Sequence, residues 1–405
     1  MTARTQSAMG ILRSSCPPRL RTRTAKSQGH TSDITRRAHQ ESLGLNTYEF
    51  YDNTVHTFAT METTPVTLHY LLELGKQQSI IESGRYLHEE LPKRMARRCK
   101  ALQNLPFIIG VNPWIRSVHN LYKDSFDTLR AIPEVKDEQS EAYFSRILRA
   151  LVEDHNDVIP KLAKGFMECE KYMKRKESTD FLDKMINARI GIRVLAEHHL
   201  ALREYHPAWI GIVNTRLSPA SLVRKVADQV QELCEINYGS APEVELTGHI
   251  DTIFAYIPVH LEYVLTELLK NAFRATVEYG QKTRQMDLPP IEVTIGRGLE
   301  EISFRVRDQG GGIPEHELNK VWEYSYTTVP KYNESESDAL STISRMNMQR
   351  GMGGPMAGLG FGLPMSRIYA QYFGGTMDIK VVEAHGCDAF LMVPNISTLT
   401  ATLQI

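Results

Sequence analysis

Apolar residues recur three and four apart through most of residues 45 to 205, with charged residues between them. That is the period of helices that bury one face. Three runs carry it: SGRYLHEELPKRMARRCKAL, SEAYFSRILRALVEDHNDVIPKLAKGFMECEKYM and STDFLDKMINARIGIRVLAEHHLALRE. Breakers separate them at LPFIIGVNP (105–113) and IPEVKDEQ (132–139). Long helices with short links predict an antiparallel four-helix bundle. No internal repeat of fixed period accompanies them.

The pattern changes near residue 208. WIGIVNTRLSP reads as a strand and turn, and SPASLVRKVADQVQELCEINYG as a helix with Gly239 near its end. ELLKNAFRATVE (267–278) has helical spacing, while IEVTIGRG and ISFRVRDQ alternate as strands. Residues 331–357 are polar and rich in Gly, Met and Ser, the composition of a mobile loop. LPMSRIYAQYFGG then reads as a helix closed by Gly374 and Gly375, and TMDIKVVEAHGCDAFLMVP as a hairpin. Helices mixed with largely antiparallel strands predict an α+β sandwich rather than a βαβ nucleotide fold.

With 405 residues the chain is long enough for two or three domains, and 42% hydrophobic content is that of a globular protein. The net charge of -1 gives no global field for nucleic acid. Five scattered cysteines form no CxxC pair or Cys/His cluster, which argues against zinc and for a reducing compartment. No apolar run approaches the ~18 residues of a membrane span. Residues 1–40 stand apart. They hold Arg4, Arg13, Arg19, Arg21, Arg23, Lys26, Arg36 and Arg37 against one acid, Asp33. Arg- and Ser-rich, acid-poor composition is that of a mitochondrial transit peptide; a disordered basic tail that binds anions is the alternative.

The candidate chemistry lies in three stretches. In ELLKNAFRATVE, Glu267, Asn271 and Arg274 fall at i, i+4 and i+7, so one helix face carries an acid, an amide and a guanidinium. Asn is a poor mid-helix residue, because its amide competes with the backbone. Read alone, Glu267 is equally an i,i+3 partner of Lys270, worth ~0.3 kcal/mol. DQGGGIP (308–314) follows a strand and GLGFGLP (358–364) precedes a helix. Each cluster alone is an ordinary turn; the functional use is close backbone approach to phosphate. GLGFGL lacks the Lys-Ser/Thr of a P-loop, and no βαβ frame surrounds it for a dinucleotide site.

In this order the three stretches resemble the ATP-binding domains of the gyrase, chaperone, histidine-kinase and mismatch-repair (GHKL, Bergerat-type) superfamily. Together with LPFIIGVNP, EDHNDVIP and ARIGIRVLAEHH, they resemble the mitochondrial 2-oxoacid dehydrogenase kinases over about residues 45 to 395. This family comprises the pyruvate dehydrogenase kinases and the branched-chain 2-oxoacid dehydrogenase kinase. The resemblance implies an all-α four-helix bundle at 45–205 that regulates and docks to the complex core. It implies a GHKL ATP-binding sandwich at 206–397, with a mobile lid at about 325–360, and a short tail at 398–405. It implies ATP and Mg²⁺ as cofactors, a decarboxylase subunit as substrate, a lipoyl domain as docking partner, a homodimer and the mitochondrial matrix.

The site residues follow from the same resemblance. Glu267 would be the general base, and Asn271 would hold Mg²⁺ on the ATP phosphates. Arg274 would approach phosphate, and Asp308 would accept the adenine amino group. Gly310 and Gly312 would turn the chain beside the nucleotide. Gly358, Leu359, Gly360, Phe361, Gly362 and Leu363 would wrap the phosphates, and Thr327 and Thr328 match a lid hinge. His155 would lie against the base glutamate, tuning or orienting it, with Asp157 assisting or capping a turn; on residues alone a helix histidine is structural. Arg189 and Arg193 would form an allosteric pocket for a small 2-oxo acid, or else salt bridges within the bundle. Two departures stand out. Gly386-Cys387 replaces the family's Gly-Thr, whose threonine supports the adenine-binding acid, and ISTLTATLQI lacks the aromatic-acidic tail motif of pyruvate dehydrogenase kinases.

The signals for the complex conflict. DLPPI, KNAFRATVE and SRIYAQYF resemble the pyruvate-complex kinases, whereas RIGIR, YTT and the short tail resemble the branched-chain kinase. The balance leans to pyruvate dehydrogenase. Remoter readings are a protein-histidine kinase with His155 as acceptor and a nucleotide-gated scaffold without catalysis. Acid-labile phosphate would mark the first, and activity surviving Glu267→Gln would remove the assigned base. A DNA-remodelling ATPase lacks a basic groove outside the leader.

Overall fold

The computed structural model describes residues 53–63, 71–73, 75, 80–204, 206–285, 287–326 and 360–395. The basic leader, Thr327, Thr328, Gly358, Leu359 and the tail lie outside them. The first half is helical: α1 (Asn53–Thr60), α2 (Ile80–Gln103), α3 (Phe107–Gly110), α4 (Pro113–Ala131), α5 (Glu138–Asp154), α6 (Val158–Glu168) and α7 (Arg175–Ala201). The starts are written in the sequence. Asn112 accepts from the backbone N–H groups of Trp114 and Ile115, and Pro113 takes the first helical position. Asp137 and Ser140 close a capping box on α5.

The run expected as one helix from 140 to 173 is broken. His155–Asp157 form a 3₁₀ turn between α5 and α6. Pro160 is tolerated in the first turn of α6, where an N–H has no partner to lose. The break puts His155 at a buried corner. α7 is different in kind. From Arg189 to His199 it is buried on nearly every side, including Arg189, His198 and His199 themselves.

The second half holds β1 (Trp209–Ile210), β2 (Val213–Leu217), α8 (Pro219–Tyr238), β3 (Val244–Gly248), β4 (Phe254–Tyr256), α9 (Pro258–Thr283), β5 (Ile291–Arg297), β6 (Glu301–Arg307), α10 (Gly362–Tyr372), β7 (Thr376–Val382) and β8 (Gly386–Pro394). A five-stranded sheet runs β3-β5-β6-β8-β7, with β3 parallel to β5 and the remaining pairs antiparallel. A small antiparallel sheet, β1-β2-β4, stands beside it. Along β5 and β6 alternate residues are buried, from Ile291, Val293 and Ile295 to Ile302, Phe304 and Val306. Leu391 and Ala389 on β8 pair with Phe304 and Val306 on the same face. α8 packs on α9, and α9 on α10 and β6. Among the described residues no helix is long and apolar enough to cross a membrane.

The helix ending at Gly239, strands β5 and β6, the α10 helix and the β7–β8 hairpin match the spacing. Strands β3 and β4 were not expected. VELTG is exposed at its end, and FAY is three residues long and wholly buried, so neither alternates clearly. The single strand expected in WIGIVNTRLSP is a two-strand hairpin turned at Gly211.

Phe304 is 1% exposed at the centre of this face. Phe304→Ala is expected to lose roughly 3–5 kcal/mol of stability in urea unfolding. A loss near zero would mean that the sheet is not seated on these helices.

Candidate active site

α9 is 26 residues long and begins with Pro258 in its first turn. One side buries Leu261, Leu265, Leu268, Leu269 and Ala272. Glu267 lies half-sheltered beside that core, and Lys270 Nζ donates to Glu267 Oε1 at 2.8 Å. The pair open to the sequence is therefore real. It is no wet surface bridge, since the side chains are only 10% and 15% exposed. One turn on, the Asn271 side chain is exposed. Arg274 Nε donates to Glu278 Oε1 at 2.6 Å rather than standing free.

Both glycine clusters close onto this helix. A Cβ at Gly362 would stand 2.3 Å from Glu267 Oε2, so glycine lets the start of α10 sit against that carboxylate where it now lies. A Cβ at Gly310 would stand 2.5 Å from Ala275 Cβ and 2.6 Å from its carbonyl carbon. The DQGGGIP turn is thus seated two turns along the same helix. Gly312 lies against the Val382 carbonyl and Gly360 against the Tyr326 backbone. Leu363 is half-buried. Phe361 is fully buried, with its ring 4.9 Å from that of Tyr324, so only its backbone is left to meet a phosphate.

Asp308 ends β6. Its Oδ1 accepts from the N–H groups of Gly310 at 2.9 Å and Cys387 at 3.3 Å. Its own N–H donates to the Cys387 carbonyl at 2.9 Å. Burial pushes the carboxyl up to about 6, although those two N–H groups pull the other way. The Cys387 thiol is itself pushed up to about 12, by burial and then by Asp308. The structural support for Asp308 therefore comes from the backbone at 387. Gly386 is required beside it, because a Cβ there would overlap the Asp308 carbonyl oxygen.

His155, Arg189 and Arg193 form a separate group in the helical half. His155 Nε2 meets Ser125 Oγ at 2.8 Å, and its ring sits 4.8 Å edge-on from Tyr122. Burial, then Arg189, Arg193 and Lys161, push His155 down to about 3, so the ring is neutral. Among the described residues no hydrogen bond, ion pair or ring contact joins it to Glu267. Arg193 donates to Glu197 and Asn156. Arg189 Nη2 donates to the His155 carbonyl at 3.1 Å, and its Nε and Nη1 have no partner. These side chains border a cavity of about 30 Å³. Three participants escaped the sequence reading. Tyr263 lies one helical turn before Glu267, Tyr369 opposes it on α10, and Ser125 holds His155. For Tyr263 the signal was available: i and i+4 share a helix face.

Comparison with known proteins matches both halves of the chain. Residues 256–396 match the family model for histidine kinase-, DNA gyrase B- and HSP90-like ATPases. Residues 65–214 match the model described as mitochondrial branched-chain alpha-ketoacid dehydrogenase kinase. A mitochondrial pyruvate dehydrogenase (acetyl-transferring) kinase of Arabidopsis thaliana is 36% identical over 345 residues, covering 83% of this chain and 92% of the relative. The chain belongs to the mitochondrial 2-oxoacid dehydrogenase kinase family. The human pyruvate dehydrogenase kinase isozyme 1 is 29% identical, covering 85% of this chain and 80% of its own length. A Drosophila melanogaster family member is 29% identical over 84% of each chain. In this chain a helical region precedes an α/β ATPase domain.

The raised carboxyl of Asp308 has a measurable sign in the nucleotide-free kinase. Below about pH 4 both folded and unfolded forms are protonated and nothing is lost. As pH rises toward 6 the unfolded form, at the usual 3.8, releases its proton first, so stability falls and then levels off. Asp308→Asn is therefore expected to be more stable than wild type by about 2 kcal/mol at pH 7.5. The gap should close near pH 4 in urea titrations. A variant less stable at pH 7.5 would contradict this electrostatics.

Proposed function

We propose that this chain is a mitochondrial protein-serine kinase that uses ATP to phosphorylate, and so switch off, the decarboxylase subunit of the pyruvate dehydrogenase complex. The single observation that carries the mechanism is the seating of Gly362 on Glu267 and Gly310 on Ala275. It sets the start of α10 and the turn that follows Asp308 against the helix that carries the sheltered carboxylate and the exposed amide.

In this reading Glu267 Oε2 takes the proton of the substrate serine hydroxyl as the oxygen attacks the terminal phosphorus. Lys270 holds the other carboxylate oxygen and so orients the base. Asp308 accepts the adenine amino group through Oδ2, since Oδ1 is already satisfied by two N–H groups. Gly360, Gly362 and the backbone of Phe361 and Leu363 approach the phosphates at the start of α10. Arg274 serves phosphate by releasing Glu278. Thr327, Thr328, Gly358 and Leu359 are assigned on the family resemblance alone.

Magnesium fits the donors present. Among the described residues no cluster of three His, Cys, Asp or Glu side chains could hold a metal by itself. Asn271 offers one hard neutral oxygen, which suits an ion carried mainly by phosphate and water. When bound, that ion would neutralise charge on the phosphates.

The helical half, 45–205, is assigned as a four-helix bundle that docks a lipoyl domain, and 206–397 as the kinase domain of a homodimer in the matrix. Arg189, with two buried N–H groups unpartnered, is the anion-binding half of an effector site with Arg193. The adjoining cavity holds about one water, so a 2-oxo acid enters only as the walls give. Neutral His155 lines that cavity and steadies Arg189 through its carbonyl. A second reading, the branched-chain complex as substrate, is favoured by the family model matched at 65–214.

The test is incubation with Mg-ATP, labelled on the terminal phosphate, and each purified complex in turn. Acid-stable label on the pyruvate dehydrogenase decarboxylase subunit is expected. Glu267→Gln should lower the rate by about 10²-fold or more while still binding ATP. Label on the branched-chain subunit alone selects the second reading. Acid-labile label, or full activity in the variant, overturns the mechanism.

A further inference from the structure

α9 and α10 meet along a seam that runs beyond the site. Gly362 abuts Glu267. The Tyr263 hydroxyl then meets Met365 Sδ at 3.8 Å, and the Tyr369 ring lies 5.1 Å from both the Tyr263 and the His260 rings. Phe373 stacks on His260 at 4.8 Å. Along α10 the positions 362, 365, 369 and 373 advance while their partners on α9 retreat through 267, 263 and 260, so the helices run antiparallel. The first contact in the seam is the one at the base. Beyond it the seam is built of buried rings and Met365.

A third helix reaches the seam at one point. α7 packs against α10, and Tyr369 lies within electrostatic reach of Arg189. Arg193 and Glu197 of α7 also act electrostatically on Tyr369. Arg189 is 4% exposed and two of its N–H groups have no partner, so its charge is poorly compensated. In such surroundings a nearby hydroxyl dipole matters more than it would in water. Tyr369 is thus the one described side chain that both packs on the base-bearing helix and answers to that buried cation.

We propose that Tyr369 is a positioning residue for the ATP site. Its ring seats the first turn of α10, and with it Gly362, against Glu267, while its hydroxyl ties that seating to the Arg189 guanidinium. The inference rests on the reading of Glu267 and Gly362 as parts of the nucleotide site, and its test does not depend on any effector or on phosphotransfer.

The experiment is a double-mutant cycle on full-length protein, with Mg-ATP affinity from isothermal titration as the readout. Tyr369→Phe keeps the ring and removes only the hydroxyl, so its melting temperature should stay within about 3 °C of wild type. Arg189→Met is expected to change the ATP dissociation constant about threefold or more in wild type and by less than about 1.5-fold in Tyr369→Phe. A purely structural Tyr369 would leave the two effects multiplying independently, and that result overturns the proposal. So does an Arg189→Met effect that is absent in both backgrounds. If Tyr369→Phe folds poorly, amide exchange at 362–366 in Arg189→Met decides. Faster exchange there supports the link, and unchanged exchange removes it. Loss of ATP binding in wild type would instead indict the nucleotide site itself.

Discussion

The site depends on one close approach. The start of α10 comes so near the Glu267 carboxylate that a methyl group at position 362 would stand 2.3 Å from Oε2. A second approach of the same kind holds the DQGGGIP turn on Ala275. Backbone without side chains at these two points makes a wall on each side of α9's polar face. It brings main chain, rather than methyl groups, against that helix. The sheet behind serves this arrangement. β6 ends at Asp308 and β8 begins at Gly386, and the two strand ends hold the acid through backbone hydrogen bonds.

The polar groups of this half are kept partly out of water, and each carries the mark of it. Asp308 is pushed up to about 6 by burial. Glu267 is sheltered in an ion pair with Lys270. In the helical half Arg189 has no such partner, and His155 is neutral. Buried groups of this kind gather where a ligand is to complete them. The asymmetry separates the two regions. The α9 face presents an ion-paired carboxylate, an exposed amide and an ion-paired guanidinium. The Arg189 cavity is a small space of about 30 Å³ lined by a cation with unpartnered nitrogens.

Much of this was legible in the residues. Glu267, Asn271 and Arg274 stood out because three polar groups at helical spacing have no reason to share a face with an Asn in mid-helix. The glycine clusters stood out by position, after a strand and before a helix. Strands β3 and β4 were not legible, since one is exposed at its end and the other too short to alternate. The break at His155–Asp157 was hidden because a 3₁₀ turn keeps nearly helical spacing. The role of the backbone at 387 was masked by the side chain. Cysteine for threonine suggested a weakened acid site, whereas the N–H group supplies the structural hydrogen bond whichever residue stands there. Tertiary partnerships such as Tyr263 with Met365, or Tyr369 with Arg189, involve residues about a hundred or more apart, and no local pattern announces them.

The central claim is spatial: one nucleotide lies between the α9 face and the two glycine walls. Photolabelling with 8-azido-ATP, followed by peptide mapping, reads that location directly. The account predicts label within residues 271–279 or 308–312, abolished by excess ATP and by Asp308→Ala. Label confined to the helical half, or label in these segments that ATP does not displace, would contradict it.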